Sequence, residues 1–393
     1  MKPQWVFPAL VSLLSYQASA AVELALGGYG LALGNEPQIR GLRLNLRDHQ
    51  VQRVDRINLT LWKAKKNPDA ALNGAALGLI GPEAGRIRGI SVGGLGVKAE
   101  QSLFGIALGG AGVGTAGKIT GLAAGLGGVG AGDEAEGVLV GGLGVGCEED
   151  LTGIAVGGLG VGAGERARGL VLGGIGAGIG GDLEGAAGGL VGVGVGENLT
   201  GLVLGGVGAG VGGNLKGIAA GGVGLGIGGD ATGLVVGGLG AGVGKDLKGI
   251  GFGLVGLGIG GDLTGIGLGG VGIGAGRDIQ GIALGGVVVA GQNITGLALG
   301  PAGVRAKEGN INGIGAGLIS IGAPGMRGVM VSGLNGYVFE DFWFRKVNQK
   351  MSGISVGLLN ATSQLRGVQV GLLNYAGNNP RWLRLLPLVN LHL

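Results

Sequence analysis

A single cysteine, two histidines and fourteen aromatic side chains are spread over 393 residues, and each shortage removes a class of function. The lone Cys147 excludes an internal disulfide framework. With His49 near one end of the chain and His392 near the other, Ser-His-Asp, Cys-His and multi-histidine zinc arrangements have almost no material to work with. Charge is scarce too. Only 13% of residues are charged and the net of +4 is spread over the whole length, which gives no nucleic-acid footprint. The longest uncharged stretch, Ile279 to Val304, is broken by Gly, Pro301, Gln and Asn, so no membrane-spanning helix is expected. The glycine-rich array holds no Gly-Lys-Ser/Thr, which excludes a P-loop.

What the chain has in abundance is glycine, 104 residues beside 9 prolines. Without periodicity that composition describes a disordered chain. Here a glycine opens a new unit every sixteen residues from Gly89 to Gly281, at 89, 105, 121, 137, 153, 169, 185, 201, 217, 233, 249, 265 and 281. Hydrophobic residues make up 46% of the chain and supply the apolar side chains that disordered segments lack. Thirteen consecutive starts at one spacing mean that one small unit is stacked on copies of itself, because each copy is too small to bury an apolar face alone.

In the unit from Gly201 to Lys216, apolar residues recur at positions 2 and 4, then 7, 9 and 11, then 15. Period-two alternation is a strand pattern, and helical spacing is absent. A corner falls near positions 5 and 6. Units with Leu190 or Leu254 at position 6 suggest that 2, 4 and 6 share one inward face, with 7, 9 and 11 facing them. Gly-Gly followed by Asp or Asn at positions 12 to 14 forms the other corner, and position 16 is polar and solvated. These features predict an all-β fold: a parallel β-solenoid with 16-residue coils, two short strands per coil, capped at both ends. At about 4.8 Å per rung, the array and its flanks predict a rod on the order of 80–100 Å long.

The ends depart from the register. Lys2, the apolar stretch Trp5 to Leu14 and Ala18-Ser19-Ala20 read as a secretory signal peptide over residues 1–20, with the mature chain starting at Ala21. No cysteine follows that site, so a lipoprotein anchor is not expected. Residues 21–88 form irregular repeats and a cap, residues 89–296 the regular array, and residues 297–393 irregular repeats with a closing strand. Arg40, Arg43, Arg47, Arg53, Arg56, Lys63, Lys65 and Lys66 precede the array and are expected to solvate its end. An excursion over 337–352 carries Tyr337, Phe339, Phe342, Trp343 and Phe344, followed by Arg345. An exposed aromatic patch marks contact with a partner or membrane; the alternative is that the excursion folds back over exposed core. Cys147 stands at position 11, where most other units carry Val, Ile or Ala, and is expected to be a small buried hydrophobe.

Gly353-Ile-Ser-Val-Gly-Leu-Leu-Asn-Ala361 and Gly367-Val-Gln-Val-Gly-Leu-Leu-Asn-Tyr-Ala376 resemble the repeats of bacterial surface-repeat proteins, first noted in Leptospira and built on G-[LVI]-Q-[LVI]-G-L-[LIV]-N-x-A. The central array is similar to a degenerate form of that unit, with Gly in place of Leu at position 6 and of Asn at position 8. The resemblance implies an exported, envelope-associated protein and brings no catalytic residues with it.

Several motif matches carry little. Gly208 to Gly213 fits G-x-G-x-x-G, as many windows here do, but no helix follows to receive a pyrophosphate. Asn198, Asn293 and Asn360 fit a glycosylation acceptor yet read as turn residues. Asp230, Asp246, Asp262 and Asp278 fall at position 14 of consecutive units and would stack roughly 5 Å apart. Calcium-binding rolls need paired aspartates in every turn, and this stack has none, so it reads as a solvated turn ladder. No cofactor or metal is expected. The sequence predicts an exported, non-enzymatic structural or interaction protein of the bacterial cell envelope, at the outer membrane, cell surface or periplasm. The alternatives are an outer-membrane β-barrel with one strand per unit and a polysaccharide-active β-helix enzyme, which needs clustered acids or bases on one face.

Overall fold

The computed structural model describes residues 22–26, 29–65, 67–336 and 349–393. The unit opened by Gly201 shows how the sequence folds. Leu199–Gly205 forms a long strand, running from position 15 of one unit to position 5 of the next, and Gly208–Val211 forms a short strand over positions 8 to 11. The long strand pairs in parallel with Leu215–Gly221 and the short one with Gly224–Ile227, each residue opposite its counterpart in the next coil. The same two pairings recur between Ala135–Gly141 and Leu151–Gly157 and between Gly144–Cys147 and Gly160–Ala163. This is the expected parallel β-solenoid. A barrel with one strand per unit is not what forms, because each regular unit supplies two strands and both pair in parallel. Among the described residues the only helical element is one turn of 3-10 helix, Arg381–Leu383.

The chain forms two compact units, one ending at Ile179 and one beginning at Gly180. In the first, Val22–Leu26 runs antiparallel to Tyr29–Leu33, after which pairing is parallel from Gln38–Asn45 onward. The second ends with Leu385–His392 antiparallel to Gln364–Ala376, the closing strand that the sequence predicts. A reversed strand thus ends the parallel stack in each unit.

The inward face differs from the one expected. Positions 15, 3, 9 and 11 are buried, as at Leu199, Val203, Ala209 and Val211, while positions 2, 4, 6 and 7 turn outward. Leu190 and Leu254, expected inside at position 6, are 79% and 59% exposed, and Val207 at position 7 is half exposed. The cause is the parity of the long strand. Its alternation starts from the buried residue at position 15 and carries through the glycine at position 1, so within this strand positions 3 and 5 stay inside while 2 and 4 point out. Leu202, Val203 and Leu204 are all apolar, and a run apolar on both faces does not show which one is buried.

Two glycine rows show how closely the coils are stacked. At position 1, Gly217 has φ +132, and a Cβ there would lie 2.1 Å from the carbonyl oxygen of Gly201 one coil back. Every opening glycine from Gly89 to Gly281 shares this positive φ. At position 10 the opposite holds: a Cβ on Gly226 would meet nothing within 4 Å, and its backbone is ordinary strand.

Near the N-terminus the core changes character. Arg43, expected to be solvated, is fully buried because it occupies position 3 counting from Gly41, the inward row that Val or Ala fills in most regular coils. Its Nη1 donates to Asp48 Oδ1 at 2.8 Å and to Asn58 Oδ1 at 3.0 Å, and its Nη2 to Asn35 Oδ1 at 2.9 Å. The other Asp48 oxygen accepts from Asn58 and Thr60. Burial lowers the Arg43 pKa, opposed by the Asp48 charge. Arg40, Arg47, Arg53, Arg56 and Lys63 are exposed as expected and Lys65 is half-buried, whereas Lys66 lies outside the described residues.

Two substitution tests follow from this packing. Gly217→Ala is expected to cost at least about 2 kcal/mol, from strain and collision, whereas Gly226→Ala should change stability by no more than about 1 kcal/mol in either direction; denaturant unfolding of the two variants checks the contrast. Arg43→Ala should cost about 3–5 kcal/mol because it leaves Asp48 buried without its counter-charge, and loss of amide protection over 35–60 in hydrogen exchange locates the effect.

Candidate functional site

The outward rows set up a surface with two sharply different parts. In the units from Gly105 to Gln280 no charged residue falls at positions 1 to 11; all the charge sits at positions 12, 13, 14 and 16, as at Lys118, Glu134, Asp150, Asp182, Lys216 and Asp278. Positions 2, 4 and 7 are instead Ile, Leu and Val in most units. In the first unit Ile106, Ile154, Leu143, Leu159 and Ile175 are substantially exposed; in the second, Leu204, Ile218, Val223, Leu239 and Val271 are. Parallel pairing sets positions 2 and 4 on their counterparts, and at position 7 the amides of Leu159 and Val223 bond to the carbonyls of Leu143 and Val207, so single exposed residues line up in apolar rows. The short strand adds a face without side chains, since its outward positions 8 and 10 are glycine, as at Gly208 and Gly210.

The charged corner is a hydrogen-bonded ladder. Asp182 Oδ1 accepts the backbone N–H of Asn198 at 2.9 Å, Asn198 Oδ1 that of Asn214 at 2.9 Å, and Asn214 Oδ1 that of Asp230 at 2.8 Å. The pattern continues through Asp246, Asp262, Asp278 and Asn293 to the amide of Asn310. This explains the choice of Asp or Asn at position 14: a short side chain with an acceptor oxygen reaches the turn amide of the next coil. One oxygen of each stacked aspartate is thus already committed, and Arg277 also bridges Asp246 and Asp262. The amide of Asp262, and then Arg277, hold the Asp246 carboxyl below the ordinary carboxylate range. The stability this adds is present above the ordinary carboxyl pKa and is lost as pH falls through the lowered one. Among the described residues no group of three His, Cys, Asp or Glu is placed to hold a metal ion.

The asparagines of the glycosylation-like triplets are engaged internally. Asn198 Nδ2 donates to Asp182 at 3.0 Å and Asn293 Nδ2 to Asp278 at 2.9 Å. Asn360 is buried in a second ladder, inside the C-terminal coils, where Asn335 Nδ2 donates to Asn360 Oδ1 at 2.8 Å and Asn360 Nδ2 to Asn374 Oδ1 at 2.7 Å. The Gly-Leu-Leu-Asn asparagines therefore point into the core and hold neighbouring coils together, and Gln369 of the same repeats is buried as well.

Cys147 is buried at position 11, its Sγ donating to the carbonyl oxygens of Asp133 at 2.9 Å and Asp150 at 3.2 Å. The candidate contact residues Tyr337, Phe339, Phe342, Trp343, Phe344 and Arg345 lie outside the described residues. Sequence reasoning missed the outward apolar rows as a site; the available signal was the third apolar residue, at position 3, which already fills the core. Comparison with protein-family models, curated proteins and solved structures gives no match.

Burial pushes the Cys147 thiol pKa up. Native protein should therefore react slowly with a bulky maleimide, and unfolded protein rapidly. Since the unfolded thiol ionises first, the stabilising contribution is complete below the ordinary thiol pKa and is lost as pH rises through the raised value. Thermal unfolding on either side of the thiol range, compared with Cys147→Ala, measures it.

Proposed function

We propose that this protein is an exported, non-enzymatic structural or interaction protein of the bacterial cell envelope that acts through its charge-free apolar rows. The observation that carries this reading is the segregation on the coils from Gly105 to Gln280: apolar residues at outward positions 2, 4 and 7, and charge confined to the corner beyond position 11. Contiguous exposed apolar area on this scale is a feature of interaction surfaces. The ladder at the charged corner supports the non-enzymatic part of the reading, because one oxygen of each of its Asp and Asn side chains is engaged by the amide of the next coil. Export rests on the apolar N-terminal stretch and its Ala-Ser-Ala site.

The test is fractionation of cells carrying the tagged full-length chain. The protein is expected in the envelope fraction. Replacing Leu143, Leu159 and Ile175 with Ser should reduce its retention there without lowering the unfolding midpoint. Recovery in the cytosol, or retention unaffected by the triple change, overturns the reading.

A further inference from the structure

Position 6 lies at the corner between the long and short strands and is glycine in most regular coils. Gly222 shows why: a Cβ there would lie 1.9 Å from the carbonyl oxygen of Gly206. Leu126, Leu190, Leu254 and Leu318 nevertheless occupy this row, each four coils after the last. The corner is rebuilt to admit them. Where glycine is present, the position 6 amide bonds to the position 5 carbonyl of the preceding coil, as Gly222 does to Gly205 and Gly238 to Gly221. At Leu254 and Leu318 the amide bonds instead to the position 6 carbonyl, of Gly238 and Pro301. The leucines gain little packing in return, since Leu190 is 79%, Leu318 78% and Leu254 59% exposed. A side chain that disturbs the corner and stays mostly exposed is available for a contact outside its own chain.

We propose that the protein pairs with a second copy of itself through this edge of the unit beginning at Gly180. Between Leu190 and Leu254 the row holds Gly206, Gly222 and Gly238, a trough without side chains flanked by position 4 residues Leu204, Ala220 and Val236 and position 7 residues Val207, Val223 and Leu239. Neighbouring coils lie about 4.8 Å apart, so the leucines stand about 19 Å from one another with an apolar-walled trough between them. A copy related by a two-fold axis and offset by two coils sets each leucine into the middle of a trough and receives the partner's leucine in its own, the self-complementary arrangement that a symmetric pair requires. A lipid surface has no period for such knobs to match. Rows 2, 4, 6 and 7 carry no charge from Gly185 to Leu318, so the pairing opposes no like charges. Eight coils span about 38 Å and positions 2 to 7 about 17 Å, a footprint of roughly 650 Å² on each copy. The total, about 1,300 Å², lies in the range of specific pairing surfaces. This inference does not depend on where the protein resides.

Sedimentation velocity of the purified full-length protein over a range of concentrations tests it. The wild type is expected to sediment as a dimer, and Leu190→Ser/Leu254→Ser/Leu318→Ser as a monomer that keeps its β spectrum. Leu254→Ser alone should weaken the dimer about tenfold or more, as loss of a central apolar anchor does, and this single variant decides the question if the triple variant does not fold. Val223→Asp, in the trough, should weaken it likewise. A wild-type monomer at tens of micromolar, or dimers and larger species unaffected by these changes, overturns the proposal. So does a monomer whose leucines are needed to bind phosphatidylglycerol vesicles, which would make lipid the occupant.

Discussion

Close parallel stacking of identical coils is the constraint on which the rest of the structure depends. Each opening glycine places its backbone where the carbonyl of the preceding glycine leaves no room for a Cβ, as Gly217 does over Gly201. The paired strands therefore repeat in length as well as in sequence, and residues gained or lost between coils fall in the turns, as where Ile279 pairs with Ile294 and Ile294 with Ile311. The drift of the unit starts to Gly296, Gly313 and Gly328 is absorbed outside the paired strands, and those glycines keep the positive φ of the regular row.

A cross-section this small holds few side chains, which forces a choice about what fills it. In the regular coils the answer is aliphatic, one or two branched residues from each strand. Near both ends of the chain it is polar and hydrogen-bonded from coil to coil: the Arg43–Asp48 pair with its asparagine and threonine partners, and the ladder of Asn335, Asn360 and Asn374. These networks link neighbouring coils through side chains as well as backbone. Removing one member of such a network leaves its partners buried and unpaired, so these ends are less permissive of sequence change than the middle.

The fold was largely legible in the sequence. The glycine register fixed the coil length, period-two runs gave two strands per coil, Gly-Gly-Asp marked a corner, and the last residues read as a closing strand. The inward face was not legible, because Leu202, Val203 and Leu204 offer apolar side chains to both sides and only the parity imposed from Leu199 decides between them. Arg43 was misplaced for a related reason: charge argues for solvent, but position 3 is an inward row and its partners come from residues up to a coil away. The ladder at position 14 was visible as a stack of Asp and Asn, yet its bonding to backbone amides required coordinates. Of the candidate site, Cys147 was read correctly, while the outward leucines were assigned to the core.

The reversed strands, Val22–Leu26 and Leu385–His392, have a consequence for how such a chain varies. Nothing in an interior coil counts its neighbours, since each meets the carbonyl row of a like coil before it and offers the same row to the one after. Gain or loss of a whole sixteen-residue segment, by unequal recombination within the repetitive gene, leaves both terminal reversals intact and every surviving rung in register. The number of coils is thus a heritable variable largely uncoupled from foldability, and length in this architecture can change between generations without passing through a misfolded intermediate.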